Sequence, residues 1–240
     1  MKLFKNNFYF IFIVLMACTS AQINQTLGTI NDALGDDALT SEQVASGLKE
    51  ALINGISKGS GQASKLDGYF KNPQIKLPFP PDVQKVETKL RQIGLGDEVD
   101  KFVLTLNRGA EEAAKEAKPI FVNAIKAMTI QDAWGILKGD KDAATQYLMR
   151  TTSSQLKASF QPVIKRALDK TNATKYYSDI VTTYNKVPFV EKVNDDLEGY
   201  ATDKAIEGLF TLIAKEEMNI RKDPMARTSE LLKKVFAEQD

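Results

Sequence analysis

From Val83 to Phe236, apolar residues recur at every third or fourth position, and no stretch alternates apolar with polar between turn signals. That spacing lines up one side of an α-helix and denies a strand its two-faced pattern, so the chain is expected to be all-α. Val83, Val86, Leu90 and Ile93 form one face, ended at Gly94. Val99, Phe102, Val103, Leu106, Ala110, Ala113, Ala114 and Ala117 form a longer one, bent or ended at Lys118-Pro119. Thr129-Ile130-Gln131-Asp132 reads as a capping box opening a short helix, with Ile130, Ala133, Trp134 and Leu137 inward and Gly139 as its stop. Later stripes pass through Tyr147 and Leu148, then Leu156, Phe160, Ile164, Ala167 and Leu168, then Tyr176, Tyr177, Ile180 and Tyr184. The last two helices start near Thr202 and Thr228, and an early one opens at Thr40-Ser41-Glu42-Gln43 and dissolves in Gly59-Ser60-Gly61.

One stretch cannot join them. Pro73, Pro78, Pro80 and Pro81 remove donors between Asn72 and Asp82 and force extended backbone before each ring. Ile75, Leu77 and Phe79 are expected to point inward from this arm as it crosses the helices. The expected fold is a single irregular bundle of about eight to ten helices with a proline-rich extended arm, over residues 39–240.

The N-terminus reads as an address. Lys2 and Lys5 precede a ten-residue apolar run, Phe8 to Ala17, about half the length a membrane span needs, which suits the core of a secretory signal over residues 1–21. Leu15-Met16-Ala17-Cys18 resembles a lipobox, with the signal ending at 17 and Cys18 lipidated; cleavage after Thr19-Ser20-Ala21 is the rival. Residues 22–38 are polar and read as a tether. The expected location is therefore the periplasm or, through a lipid on Cys18, the membrane surface of the cell envelope.

Composition narrows the chemistry. There is no histidine, and Cys18 is the only cysteine, which excludes His-based acid–base catalysis, the usual nucleophilic triads and most transition-metal sites. No metal or cofactor is expected. The two lysines of the address aside, 30 basic side chains face 31 acidic ones, an even mixture with no footprint for nucleic acid. Asp140-Lys141-Asp142 and Asn194-Asp195-Asp196 lack the spacing of a calcium loop and read as helix caps. Gly59-Ser60-Gly61 and Gly94-Leu95-Gly96 read as turns, not phosphate loops.

Two residues break the binary pattern. Glu217 falls within about 20° of the centre of the stripe set by Ile206, Phe210, Ile213 and Ile220, and Asn107 sits as centrally among Val103, Ala110 and Ala114. Burying a carboxylate demands a partner. The expectation is one buried polar cluster of Glu217, Asn107 and Glu111 with Arg221, Arg227 or Arg108. It serves either to hold helices in register, to grip an anionic ligand or to supply a carboxylate base.

Three stretches, LNRGAEEAAKEAKPIF (106–121), MTIQDAWGILKGDKDAATQYL (128–148) and DKAIEGLFTLIAKEEMNIRKDPMARTSELLKKVF (203–236), resemble a bacterial family catalogued as domain of unknown function 4197. The resemblance runs from about Leu39 to Phe236. It implies an exported helical protein and brings no activity, cofactor or catalytic residue with it. Arg108, Glu111, Asp132, Glu217, Arg221 and Arg227 lie inside the matching stretches as candidates. The leading functional expectation is a non-enzymatic, lipid-anchored module that binds an envelope protein or a small ligand. The alternatives are a soluble periplasmic carrier of an apolar ligand and an enzyme using carboxylate and arginine groups.

Overall fold

A computed structural model describes residues 39–227 and 229–237. The signal segment, Cys18, the tether and Thr228 lie outside the described residues. The α-helices are α1 (Ser41–Ala63), α2 (Gln84–Gln92), α3 (Gly96–Ala113), α4 (Ala117–Ala127), α5 (Ile130–Leu137), α6 (Ala143–Asp169), α7 (Ala173–Tyr184), α8 (Leu197–Lys222) and α9 (Glu230–Ala237). Short 3-10 turns precede α2, join α3 to α4 and follow α8, and no described residue is in a strand. The bundle is all-α.

Helices α6 and α8 form its centre. In α6, Leu148, Thr152, Leu156, Phe160, Ile164 and Leu168 are all buried. A four-residue spacing advances about 40° per step, so the buried line winds around the helix and meets different neighbours along its length. α3 and α8 take most of that line, with α4 and α5 also against it. The hydroxyl of Thr152 donates to the Leu148 carbonyl at 2.6 Å, which makes its burial tolerable.

The expected break at Gly59-Ser60-Gly61 does not occur: α1 continues to Ala63. Gly47, Ala51, Gly55 and Gly59 are buried at four-residue spacing, where α8 and α9 approach closely. A Cβ on Gly47 would lie 3.0 Å from Val235 Cγ2, and one on Gly55 3.3 Å from Ile220 Cδ1. These glycines are packing residues, and tertiary contact outweighs their poor helix propensity. Ser60 donates its hydroxyl to the Ile56 carbonyl.

Other boundaries shift for identifiable reasons. The stripe of α3 ends at Ala113, ahead of the expected Lys118-Pro119. A proline ring collides with the carbonyl four residues upstream, so the chain kinks through Ala114–Glu116 and carries Pro119 in the first turn of α4. α8 starts at Leu197, before Thr202, because Asp196 accepts from the Gly199 amide at 2.8 Å. The Tyr147 and Leu156 stripes belong to one helix, α6. Gly94 is left-handed (φ 86°) and closes α2, with the Leu95 amide donating to the Leu90 carbonyl. The Thr129–Asp132 capping box forms with both of its hydrogen bonds.

Three expected inward residues face out: Ile93, Ile130 and Tyr176 are each more than two-fifths exposed. Ile130 is the first residue of α5, where the chain has not yet turned onto the core. Ile93 follows the last residue of α2, and Tyr176 lies on the short helix α7. α2 buries no residue, although its sequence is amphipathic. It touches α3, and its Leu90 faces an open space rather than a closed core.

The non-helical segment 64–80 buries Tyr69, Ile75, Leu77 and Phe79. Gly208 lets it approach α8, since a Cβ there would stand 2.9 Å from the Tyr69 ring and 3.0 Å from Ile75 Cβ. Gly208→Ala is therefore expected to destabilise the fold by about 1–3 kcal/mol. Gly61→Ala, in a helix with nothing within 4 Å of the new methyl, should stabilise it by about 0.5–1 kcal/mol. Urea unfolding midpoints of the two variants test this opposite pair.

Candidate functional site

The six expected polar residues do not form one cluster. Asn107, Arg108 and Glu111 hold the arm, while Glu217, Arg221 and Arg227 hold helix ends, and the described hydrogen bonds of the two groups share no partner. A helical wheel reports the face of a residue, not its height. Glu111 works at the level of Tyr69, whose hydroxyl reaches the Ala205 carbonyl. Glu217 lies twelve residues further along α8, about 18 Å.

At the arm, the Leu77 amide donates to Asn107 Oδ1 at 2.9 Å, and Asn107 Nδ2 donates to the Leu77 carbonyl at 2.8 Å. The amide side chain thus acts as a neighbouring strand would. Glu111 Oε1 accepts from the Tyr69 and Phe70 amides at 3.2 and 3.1 Å. Arg108 bridges Glu111 Oε2 (2.5 Å) and Asp67 Oδ1 (2.7 Å). Asp67, not singled out in the sequence, has left-handed backbone (φ 65°); hydrogen bonds from Lys71 and Arg108 hold its carboxyl below the usual range. Burial and the nearby Glu111 charge push the Tyr69 phenol far up, so it stays a neutral donor.

At the other end, Glu217 caps α6. It accepts from the Ala144 amide at 3.0 Å, the Thr145 amide at 2.8 Å and the Thr145 hydroxyl at 2.7 Å. Asp142 occupies the cap position but makes no capping bond with its side chain; Glu217 does this across the fold. Arg221 donates to Glu217 at 3.1 Å and to the Ile136 carbonyl at 2.8 Å, at the C-terminus of α5. Anion at a helix start and cation at a helix end both follow the helix dipole. Arg227 donates to the Ile220 and Arg221 carbonyls that end α8, its guanidinium 5.5 Å from the Phe236 ring centre. The gap beside Glu217 and Arg221 measures about 10 Å³, at the lower limit for one water molecule.

A larger space lies elsewhere. Between α2 and α7, across the first half of α3, an open trough of about 650 Å³ is lined by Phe79, Leu90, Leu95, Val99, Phe102, Leu104, Tyr177 and Ile180. Its floor is aromatic: Phe79 and Phe102 have ring centres 5.0 Å apart, and Phe102 and Tyr177 lie near-parallel at 6.3 Å. Glu98 and Lys101 on its rim pair with each other at 2.9 Å. The sequence shows these apolar residues but reads them as core, because periodicity cannot tell a covered face from an uncovered one. The tyrosines of α7 divide: Tyr177 is buried and donates to the Asn194 carbonyl, while Tyr176 is 59% exposed at the trough wall. Among the described residues no group of three or more acids or cysteines could hold a metal, and every buried side-chain nitrogen or oxygen has a hydrogen-bond partner.

These features define an all-α bundle with buried charges that fasten its own helix ends and an apolar trough open at one end. The chain belongs to the family described as protein of unknown function (DUF4197), whose profile matches residues 38–237. No curated protein and no solved structure matches it.

Removing the carboxylate in Glu217→Leu strands Arg221 and two amides of α6, so a loss of about 3–5 kcal/mol is expected by chemical unfolding. A variant as stable as wild type would refute the capping role. Burial, with the charge of Asp82 nearby, pushes the Tyr177 and Tyr200 phenols up to about 12, from 10.0. A phenol with a raised folded value stabilises the fold fully below the unfolded value and loses that contribution as pH rises through the folded one. Thermal stability should therefore fall between about pH 10 and 12, and less steeply in Tyr200→Phe.

Proposed function

We propose that this chain is an exported, lipid-anchored module of the cell envelope that binds an apolar ligand in the trough between α2 and α7. The trough carries the reading. Its volume lies within the range of small-molecule sites, and its half-exposed apolar walls are the kind of surface that proteins keep for a partner. The rim cation already has a carboxylate partner, which favours an uncharged ligand body over an ionic one. The buried carboxylates and arginines are engaged by backbone ends, and this supports binding over catalysis. Export and the anchor are supported by the sequence alone, from Lys2 and Lys5 through the Phe8–Ala17 run to Cys18. No described helix is long and apolar enough to cross a membrane.

Native mass spectrometry on protein purified from its own envelope tests both halves. The expected species begins at Cys18, carries acyl groups and retains an apolar molecule. A mature chain beginning at Gln22 without lipid removes the anchor and leaves a soluble carrier. Ile180→Lys places a charge on a half-buried wall of the trough and should abolish retention while the circular dichroism spectrum and melting temperature stay near wild type. Retention of the same molecule by that variant would place the ligand elsewhere.

A further inference from the structure

Helix α7, one wall of the trough, runs directly into an unusual loop. Asn185 closes it: its Oδ1 accepts from the Val193 amide and its Nδ2 donates to the Val193 carbonyl, both at 2.9 Å. The loop between them reads Lys-Val-Pro-Phe-Val-Glu-Lys, residues 186–192. At its tip, Phe189 is fully exposed and Val187 half exposed. Phe189 also has left-handed backbone (φ 65°), a conformation that a bulky side chain adopts only under constraint. Neither folding nor solubility accounts for this choice. A glycine would relieve the backbone, and a polar residue would suit the solvent.

We propose that this loop is a membrane-docking tip: Val187 and Phe189 enter the interfacial layer of a lipid bilayer, with Lys186 and Lys192 extending their stems back to the headgroups. The bilayer is favoured over a protein partner on area. A stable protein interface covers about 800 Å² on each side, whereas two projecting side chains supply a fraction of that. A bilayer needs no complementary surface. The lipid need not be acidic, because Glu191, Asp195 and Asp196 lie within four residues of Lys192 in the sequence and offset the charge of the two lysines. The tip begins five residues beyond Ile180 of the trough wall, about 7.5 Å along the helix. A docked tip therefore holds the trough close to a store of apolar molecules. That last step rests on the reading of the trough as a ligand site; the docking does not.

The test uses the mature protein purified from its envelope in a Trp134→Phe background, with tryptophan introduced either by Phe189→Trp or, as a control on α6, by Met149→Trp. With vesicles of brominated phosphatidylcholine, emission from position 189 should shift to the blue and be quenched, while position 149 is unaffected. Equal quenching at both positions, or none at 189, overturns the docking. Phe189→Gly should raise the thermal midpoint; a fall would mean that Phe189 supports the fold, and the proposal fails. Phe189→Ser should slow uptake of a fluorescent acyl probe from vesicles by about tenfold or more and leave its affinity unchanged when it is added from solution. Quenching at 189 without probe binding would remove the trough reading and leave the docking; probe binding without quenching would do the reverse.

Discussion

A non-helical segment buried inside an all-helical fold has to find hydrogen bonds for those backbone groups that its own turns leave open. Here α3 supplies them. Asn107 pairs with both backbone groups of Leu77, and Glu111 receives the amides of Tyr69 and Phe70. Without those acceptors the proline arm would leave amides dry and unpaired, and it could not lie between α3 and α8. The glycine at 208 is needed for the same approach from the other side.

The same accounting explains the opposite end of the bundle. Helices α5, α6 and α8 present ends to a crowded interior, where water cannot satisfy their free groups. One carboxylate and two guanidinium groups satisfy them instead, each carrying the charge that the helix end favours. Their burial is tolerable because each charge meets both an opposite pole and a hydrogen bond. Functional chemistry would require at least one of these groups to be released from that work.

Glu217 and Asn107 stood out in the sequence because they interrupt apolar stripes, and both are buried. Arg221, one turn after Glu217, was the partner expected for it and is one. The remaining partners were not legible, because Leu77 for Asn107 and Ala144 and Thr145 for Glu217 lie 30 or more positions away. Helix boundaries were legible where one residue closes them locally, by a side chain at Thr129 and by a left-handed backbone at Gly94. They were not legible where contact overrides propensity, as in the glycine line of α1. The trough stayed hidden for a different reason. Leu90, Phe102 and Ile180 have core-like spacing, and whether another element covers them is decided by the whole fold.

The polar misfits and the trough are physically connected, although only the former announced themselves. Asn107 fixes Leu77, and Phe79, two residues further on, lies on the same side of the extended chain. The ring of Phe79 is the part of the arm that reaches the trough floor, packed on Phe102 one turn and a half before Asn107 on α3. The amide that satisfies the arm's backbone therefore also sets the position of the floor. Tyr69 and Ile75 pack the segment against α8, so the floor is tied to the core, while α2 buries none of its own residues. On the proposed reading of the trough, an aromatic floor fixed by the arm beneath a lightly held wall would let a ligand enter by displacement of one short helix, with no repacking of the core.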